Sequence, residues 1–487
     1  MKVGAEVSKR FVTNVLGSLA GFLGTLVFTR LLGFDGIGTF AIFVSIQMIA
    51  ANLSSFGLYT VLTKRVSEGD DQAAYFTTGA LVLLGGVAAI TVLLVPLRGF
   101  VDGVVGLDVA LIVPLGVLTW GLFRLSTAYL EGQQRVALAG AIENGRHAII
   151  VPIQAAFVLN DFGVIGLVYG VVAGQFVTFL IAYFGYARVV PNLPSRALLG
   201  DFLDYSKYAY VQNVSSQLFK HADYIIIGQF AGQGPTGVYK NVFALTEAAM
   251  LFSSALSQVT FPQFSALSEV GDDAEINRLF AALFTYAGLF AIPLVGGGAV
   301  IGNDVLLTLY GENPGTTTIP IVGVVGLANV LVPVLAVANL LNGYRNGLEK
   351  YFLGTGNPRV YAASGLLLIL VYAVTAVPLT MAYDAWGVAS ATVLAFGSSV
   401  AAMLYYLEQP VPLSSLGDVG KEVVAMVAMT AVVYVLVDAL GAAHGALRLG
   451  FVLAVGGGTY FAILLALSER VRVDVFAVSR DLIDEVR

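Results

Sequence analysis

Runs of about 20 mostly apolar residues recur from one end of this chain to the other, and each is long enough to cross a bilayer as a helix. They lie near 11–32, 37–62, 75–97, 108–130, 141–160, 163–186, 206–230, 236–261, 279–301, 316–343, 361–383, 386–407, 421–440 and 447–468. Hydrophobic residues make up 57% of the 487 residues and charged residues only 11%, against about 25% charged in soluble domains. So few charges cannot clothe a water-soluble surface, and lipid must be the solvent for most of the exterior. The expected fold class is an all-α integral membrane protein with about fourteen transmembrane helices. The first run, Phe11–Leu32, is too long for the apolar core of a signal peptide and is read as a retained helix. Abundant glycine (55 residues) fits helices that approach closely in lipid.

Other chemistries are excluded or disfavoured. The absence of Cys rules out disulfides, thiolate zinc and iron–sulfur clusters. His147, His221 and His444 are too scattered for a His-rich metal site. A Walker-type phosphate loop is missing, so the chain is not expected to hydrolyse ATP. Neither a metal, a cofactor nor a nucleic-acid partner is expected. The acidic pairs Asp70-Asp71 and Asp272-Asp273 read as solvated turns.

Most Lys and Arg fall on one side if the N-terminus is cytoplasmic: Lys2, Lys9, Lys64, Arg65, Arg135, Arg188, Arg278, Arg345, Lys350 and Arg470 are among them. The outer loops then hold only Arg98 and Arg448, as the positive-inside rule requires. An even number of spans puts both termini in the cytoplasm of a multi-pass cell-membrane protein.

The two halves resemble one another. Ser67-Glu68-Gly69-Asp70-Asp71 is echoed by Ser268-Glu269-Val270-Gly271-Asp272-Asp273, Gln134-Arg135-Val136 by Pro358-Arg359-Val360, and Gly163-Val164-Ile165-Gly166 by Asp384-Ala385-Trp386-Gly387. Six spans per repeat is even, so both repeats run the same way through the membrane. Two six-helix bundles in a pseudo-twofold arrangement are expected, with a site between them. The expected segments are an N-terminal bundle over 1–190, a cytoplasmic linker over 191–205 and a C-terminal bundle over 206–410. An extra helix pair over 411–468 and a cytoplasmic tail over 469–487 complete the chain.

At this point the chain resembles the oligosaccharide-lipid flippases of the MOP superfamily, the Wzx-type polysaccharide exporters. The resemblance is carried by Thr29-Arg30-Leu31-Leu32-Gly33 with Gly38, by Asp223-Tyr224-Ile225-Ile226-Ile227-Gly228 with Gly237-Val238-Tyr239, and by Phe261-Pro262, Leu309-Tyr310-Gly311 and Gly354-Thr355-Gly356-Asn357. It covers roughly residues 8–410. It implies two six-helix bundles forming a cleft lined by helices one, two, seven and eight, with the last two helices an added pair.

Ionisable groups at membrane depth are costly and usually functional. Helix seven carries Lys220, His221 and Asp223; the alternative for Lys220 and Asp223 is a packing ion pair at i, i+3. Helix eight carries Lys240 and, seven residues on and on the same face, Glu247. Arg30 ends helix one, where it could also snorkel. Glu143 stands one turn from Arg146, which reads as a structural pair beside Arg124. Gln47, Asn52, Gln212, Asn213 and Gln217 add hydrogen-bonding capacity that often serves only to join helices.

The chemistry this favours is movement, not bond making, so no catalytic residues are assigned and no enzyme is expected. A lipid-linked sugar has a polar, phosphate-bearing head whose transfer through hydrocarbon is prohibitive. Arg30, Lys220 and Lys240, with His221, are the candidate phosphate-binding residues. Asp223 and Glu247 are candidates for pairing with these cations or binding a coupling ion. The expected substrate is a polyprenyl- or dolichyl-phosphate-linked oligosaccharide carried by alternating access from the cytoplasmic to the outer leaflet. Expected partners are that lipid-linked oligosaccharide, membrane lipids and glycosyltransferases of the same pathway. Two alternatives are a MATE-like multidrug/cation antiporter and a membrane-embedded polysaccharide polymerase or glycosyltransferase. The first would need a net acidic cleft and the second a sizeable outer loop.

Overall fold

A computed structural model of the chain describes residues 2–69, 71–192, 221–248, 273–320, 322–407, 413–441 and 445–473, with a few isolated positions besides. Its contacts divide it into two compact units, Met1–Lys240 and Asn241–Arg487. Among the described residues, eight continuous helical stretches are long and apolar enough to cross a membrane.

The first unit opens with α1 (Lys2–Ser55). A straight helix of its 54 residues would run about 80 Å, far beyond a hydrocarbon layer of about 30 Å. It is broken at Gly33, whose φ of 73° and ψ of 177° lie outside the helical region and suit glycine. The break falls between the first two apolar runs. After a left-handed turn at Phe56 and Gly57 come α2 (Leu58–Glu68), α3 (Gln72–Val105) and α4 (Val113–Gly132). Then follow α5 (Val136–Gly145), α6 (His147–Phe157) and α7 (Gly163–Leu180), with a break at Asn160–Asp161 before α7.

Ile42, Phe43, Val105, Val113, Val117 and Val168 form the core of this unit, and a second cluster gathers around Leu58, Leu62, Leu83 and Leu125. The opposite face of α3 leaves Val92, Leu93, Val95 and Leu97 exposed, as a lipid-facing helix should. Three polar side chains inside are joined to each other. The Gln47 amide donates to the Gly116 carbonyl (3.0 Å) and to Gln175 Oε1 (2.9 Å), and the Thr119 hydroxyl donates to the same Gln175 oxygen (3.1 Å). Gln47 thus joins α1, α4 and α7. Gln212, Asn213 and Gln217 lie outside the described residues.

A helix labelled α8 (Gln233–Ala248) carries the chain across the boundary between the units. The second unit then contains α9 (Asp273–Tyr310), a hairpin of β1 (Thr316–Ile319) and β2 (Gly323–Gly326), and α10 (Leu327–Gly354). The long α11 (Pro358–Tyr405), α12 (Leu413–Leu440) and α13 (Ala446–Leu467) complete it. The hairpin corrects the tenth apolar run, expected to be helical from 316. Antiparallel pairing runs from Thr316 opposite Gly326 to Ile319 opposite Gly323. Three successive threonines followed by isoleucine favour a strand, and Gly323, at φ 96°, supplies a left-handed turn residue. Helix starts only at Leu327.

α11 is broken at Asp384 (φ 53°, ψ −140°). Gly163, at the head of α7, has φ 57° and ψ −141°. These two positions are the ones that the internal repeat aligns. The last two helices pack on α9 through Leu289, Ile301, Ala425, Met429, Val433, Val452 and Tyr460.

Candidate functional site

The helical stretch over 221–230 ends at Gly232, whose φ of 94° reverses the chain. The Ala231 and Gly232 N–H groups close this end by donating to the Ile227 carbonyl (2.7 and 3.0 Å), a glycine-terminated helix end. α8 then returns alongside, which sets Tyr239 opposite Asp223. Asp223 is buried, and its carboxylate accepts a hydrogen bond from the Tyr239 hydroxyl. The Tyr239 ring is itself fully buried and meets Tyr224 edge-on, with centroids 5.7 Å apart.

Small residues make this packing possible. A side chain at Gly237 would collide with the Phe34 backbone, and one at Gly38 with the Gln233 carbonyl. The Gly33 break therefore lets the segment after it lie directly against the start of α8. Lys240, next to Tyr239, is half-buried, and its Nζ lies 4.9 Å from the centre of the Phe40 ring. A ring face at that distance attracts a cation while leaving its donors available.

Of the residues selected from sequence, Asp223 and Lys240 thus fall in one neighbourhood of the first unit, on the neighbouring residues' own helices. His221 is partly buried two residues before Asp223. Arg30 is exposed on α1, just past the buried Thr29 and one turn before the Gly33 break. Glu247 is exposed near the end of α8, on the second-unit side of the boundary. Lys220, and with it the expected Lys220–Asp223 pair, lies outside the described residues. Tyr239 was visible in sequence only as part of a motif. That it supplies a donor to a buried carboxylate depends on the reversal at Gly232. Among the described residues, no group of three His, Asp or Glu is placed to hold a metal ion.

The expected structural pair around Glu143 has a different partner. Arg124 Nη1 on α4 meets Glu143 Oε2 at 3.1 Å, while Arg146 donates to the Glu143 backbone carbonyl at 2.7 Å and lies 5.3 Å from the Trp120 ring. The carboxylate therefore ties α5 to α4 and does not serve its own helical neighbour, and Arg146 is satisfied by a carbonyl and an aromatic face.

Fold and residues together describe a multi-pass, predominantly α-helical membrane protein. Residues 27–314 match the polysaccharide biosynthesis protein family, and the chain belongs to that family. Two relatives come from Haloferax volcanii. The probable low-salt glycan biosynthesis flippase Agl15 is 24% identical over 409 residues, 84% of each chain, and the probable flippase AglR is 25% identical over 481 residues, 97% of each chain. Among solved structures, the lipid II flippase MurJ in an inward closed conformation superposes with a TM-score of 0.76 at 14% identity, over 97% of this chain and 99% of that one. An inward-facing multidrug resistance MATE family transporter of the MOP superfamily gives a TM-score of 0.62 at 14% identity, over 82% of this chain and 96% of that one. These structural likenesses establish the fold. The resemblance to MOP-superfamily flippases drawn from short glycine-rich motifs is borne out.

Proposed function

We propose that this protein is a flippase that carries a polyprenyl- or dolichyl-phosphate-linked oligosaccharide from the cytoplasmic to the outer leaflet, for assembly of a surface polysaccharide or protein-linked glycan. The observation that carries this reading is membership of the polysaccharide biosynthesis family together with two near-full-length relatives named as flippases. The role is translocation, with no bond made or broken in the sugar. The antiporter alternative is weaker, because its support is a likeness of fold over 82% of the chain. Glycosyltransferases that build the glycan are the partners this role implies.

Unaided, the sugar head would lose its hydrogen bonds to water and its phosphate would be desolvated in hydrocarbon. A hydrated path open to one side at a time removes most of that cost while the isoprenoid tail stays in lipid. In this reading Arg30, Lys220, His221 and Lys240 hold the phosphate, and Asp223 and Glu247 balance those cations when the site is empty or bind a coupling ion. Equal affinity in both states would drive nothing in a chosen direction, so direction comes from consumption of product outside or from an ion gradient.

The finer topology is part of the same proposal: fourteen crossings, a six-helix repeat over 1–190 and over 206–410, an added pair over 411–468, and both termini cytoplasmic. The breaks at Gly33, Asp161 and Asp384 support it, because each divides a helical stretch between two apolar runs.

The direct test places the purified protein in liposomes holding a fluorescent lipid-linked oligosaccharide and measures how fast outer-leaflet label becomes accessible to a membrane-impermeant quencher. Wild type should equilibrate the leaflets, and Lys220→Ala should insert normally and fail to do so. Equilibration no faster than in empty liposomes would reject the flippase reading. Efflux of a cationic dye in place of glycan flipping would select the antiporter.

A further inference from the structure

Glu422 lies near the start of α12 and is fully buried, with 0% of its surface exposed. Neither of its carboxylate oxygens has a hydrogen-bond partner among the described residues. The hydroxyls of Tyr344 on α10 and Tyr460 on α13 are also buried without one, and both lie close enough to feel the charge of Glu422. On α9, the carboxylate occupies the space that a side chain at Gly288 would fill. Four helices therefore close around one carboxyl group and two phenolic hydroxyls.

The other charged groups that face this site are already matched. Asp418, one turn earlier on α12, meets Lys421 Nζ at 2.8 Å and Arg470 Nη1 at 3.7 Å, with the Ser468 hydroxyl at 3.5 Å. α9 presents no charge at Gly288, with Tyr286 in the same apolar cluster as Tyr460. No cation among the described residues is paired with Glu422. A bare carboxylate enclosed in this way is strongly disfavoured. Binding a proton removes the charge, and the two phenolic hydroxyls remain as the nearby polar groups. A dehydrated metal cation fits poorly, since hard cations of this kind take about six oxygens and the enclosure offers one carboxyl and two hydroxyls.

We propose that Glu422 is a proton-binding site, with the Tyr344 and Tyr460 hydroxyls as the neighbouring dipoles of its protonated form. Arg470, which pairs with Asp418, also lines a surface recess with Glu275, Arg278 and Glu469. A buried ionisable group with no structural partner among the described residues is a candidate for use in transport. Its use in coupling rests on the flippase reading above, whereas the binding of the proton does not.

Infrared difference spectroscopy on the purified full chain in lipid nanodiscs, without substrate, tests the site. Wild type should show a protonated-carboxyl C=O band at neutral pH that is lost in Glu422→Gln. The same band should shift in frequency in Tyr344→Phe or Tyr460→Phe. A band of unchanged amplitude in folded Glu422→Gln protein overturns the proposal. If Glu422→Gln does not fold, the two tyrosine variants decide alone, and a band unmoved in both overturns it. Flipping plays no part in this measurement. A failed flipping assay therefore rejects the flippase reading and leaves the proton site standing, and a missing band rejects the site whatever flipping shows.

Discussion

The Tyr239 hydroxyl donates a hydrogen bond to the carboxylate of Asp223, so that the two arms of a glycine-reversed helical hairpin are joined by a buried polar contact. A hydrogen bond to a charged acceptor contributes about 1.5–3 kcal/mol. Tyr239→Phe keeps the ring and its edge contact with Tyr224 and removes only the donor. We expect it to slow glycan flipping by roughly tenfold or more, since about 1.4 kcal/mol is a factor of ten, and to lower the thermal unfolding temperature. Liposome flipping and a melting curve of the detergent-solubilised protein check this. Unchanged values in both would show that the contact is incidental to the site.

Lys240 lies against the Phe40 ring with its ammonium 4.9 Å from the centroid. If that ammonium meets a phosphate, charge and position matter separately. Lys240→Gln removes the charge and should weaken binding of the lipid-linked substrate at least tenfold. Lys240→Arg keeps the charge but changes a compact ammonium for a planar fork, and should retain part of the affinity. Phe40→Leu leaves the charge and removes the ring face, a loss of about 0.5–2 kcal/mol. Equilibrium binding to the three variants gives the order Arg, Leu variant, Gln from tighter to weaker if the ammonium carries the contact. Equal affinity in Lys240→Gln and wild type would remove Lys240 from the site.

Gly163 and Asp384 share a backbone conformation, near φ 55° and ψ −140°, at the head of the second helix of a broken pair in each unit. Glycine adopts it freely, whereas a side chain there costs on the order of 1–3 kcal/mol. Asp384→Gly should therefore stabilise the protein, by about 1 kcal/mol after the entropy of the unfolded chain is counted. Gly163→Ala should destabilise it by a similar amount although a methyl group there would meet open space. Denaturant or thermal unfolding of both variants measures the two signs. The same sign in both would mean that the repeat does not impose this kink.

Much of this architecture was legible as apolar runs, because a bilayer fixes the length of what crosses it. The breaks at Gly33, Asn160–Asp161 and Asp384 fall between successive runs for the same reason. Gly38 and Gly237 were legible as motif residues, and the structure supplies their cause in a backbone approach that a Cβ would block. What escaped was every feature decided by residues distant in sequence. Hydropathy does not separate the Thr316–Gly326 hairpin from the helix after it. Glu143 has Arg146 one turn away, yet its carboxylate turns to Arg124 on another helix. Glu422 stands beside Lys421 at the edge of the 421–440 apolar run, and nothing in the run's hydropathy singles it out. Its enclosure depends on Gly288, Tyr344 and Tyr460, from three other helices.

Topology can be tested without removing any native thiol, because the chain has no Cys. Ser67 is exposed just before the end of α2, and Val322 is exposed (68%) in the turn of the hairpin between α9 and α10. With the N-terminus inside, two crossings precede Ser67 and nine precede Val322, which puts the first position in the cytoplasm and the second outside. Lys64 and Arg65 beside Ser67 agree with the positive-inside rule. In right-side-out vesicles, a membrane-impermeant maleimide should label Val322→Cys fully and Ser67→Cys only after permeabilisation. Labelling of both from outside would break the fourteen-crossing count, because the two positions are separated by an odd number of crossings in that topology. Labelling of Ser67→Cys alone would instead invert the orientation and place the expected cytoplasmic phosphate entry on the wrong face of the membrane.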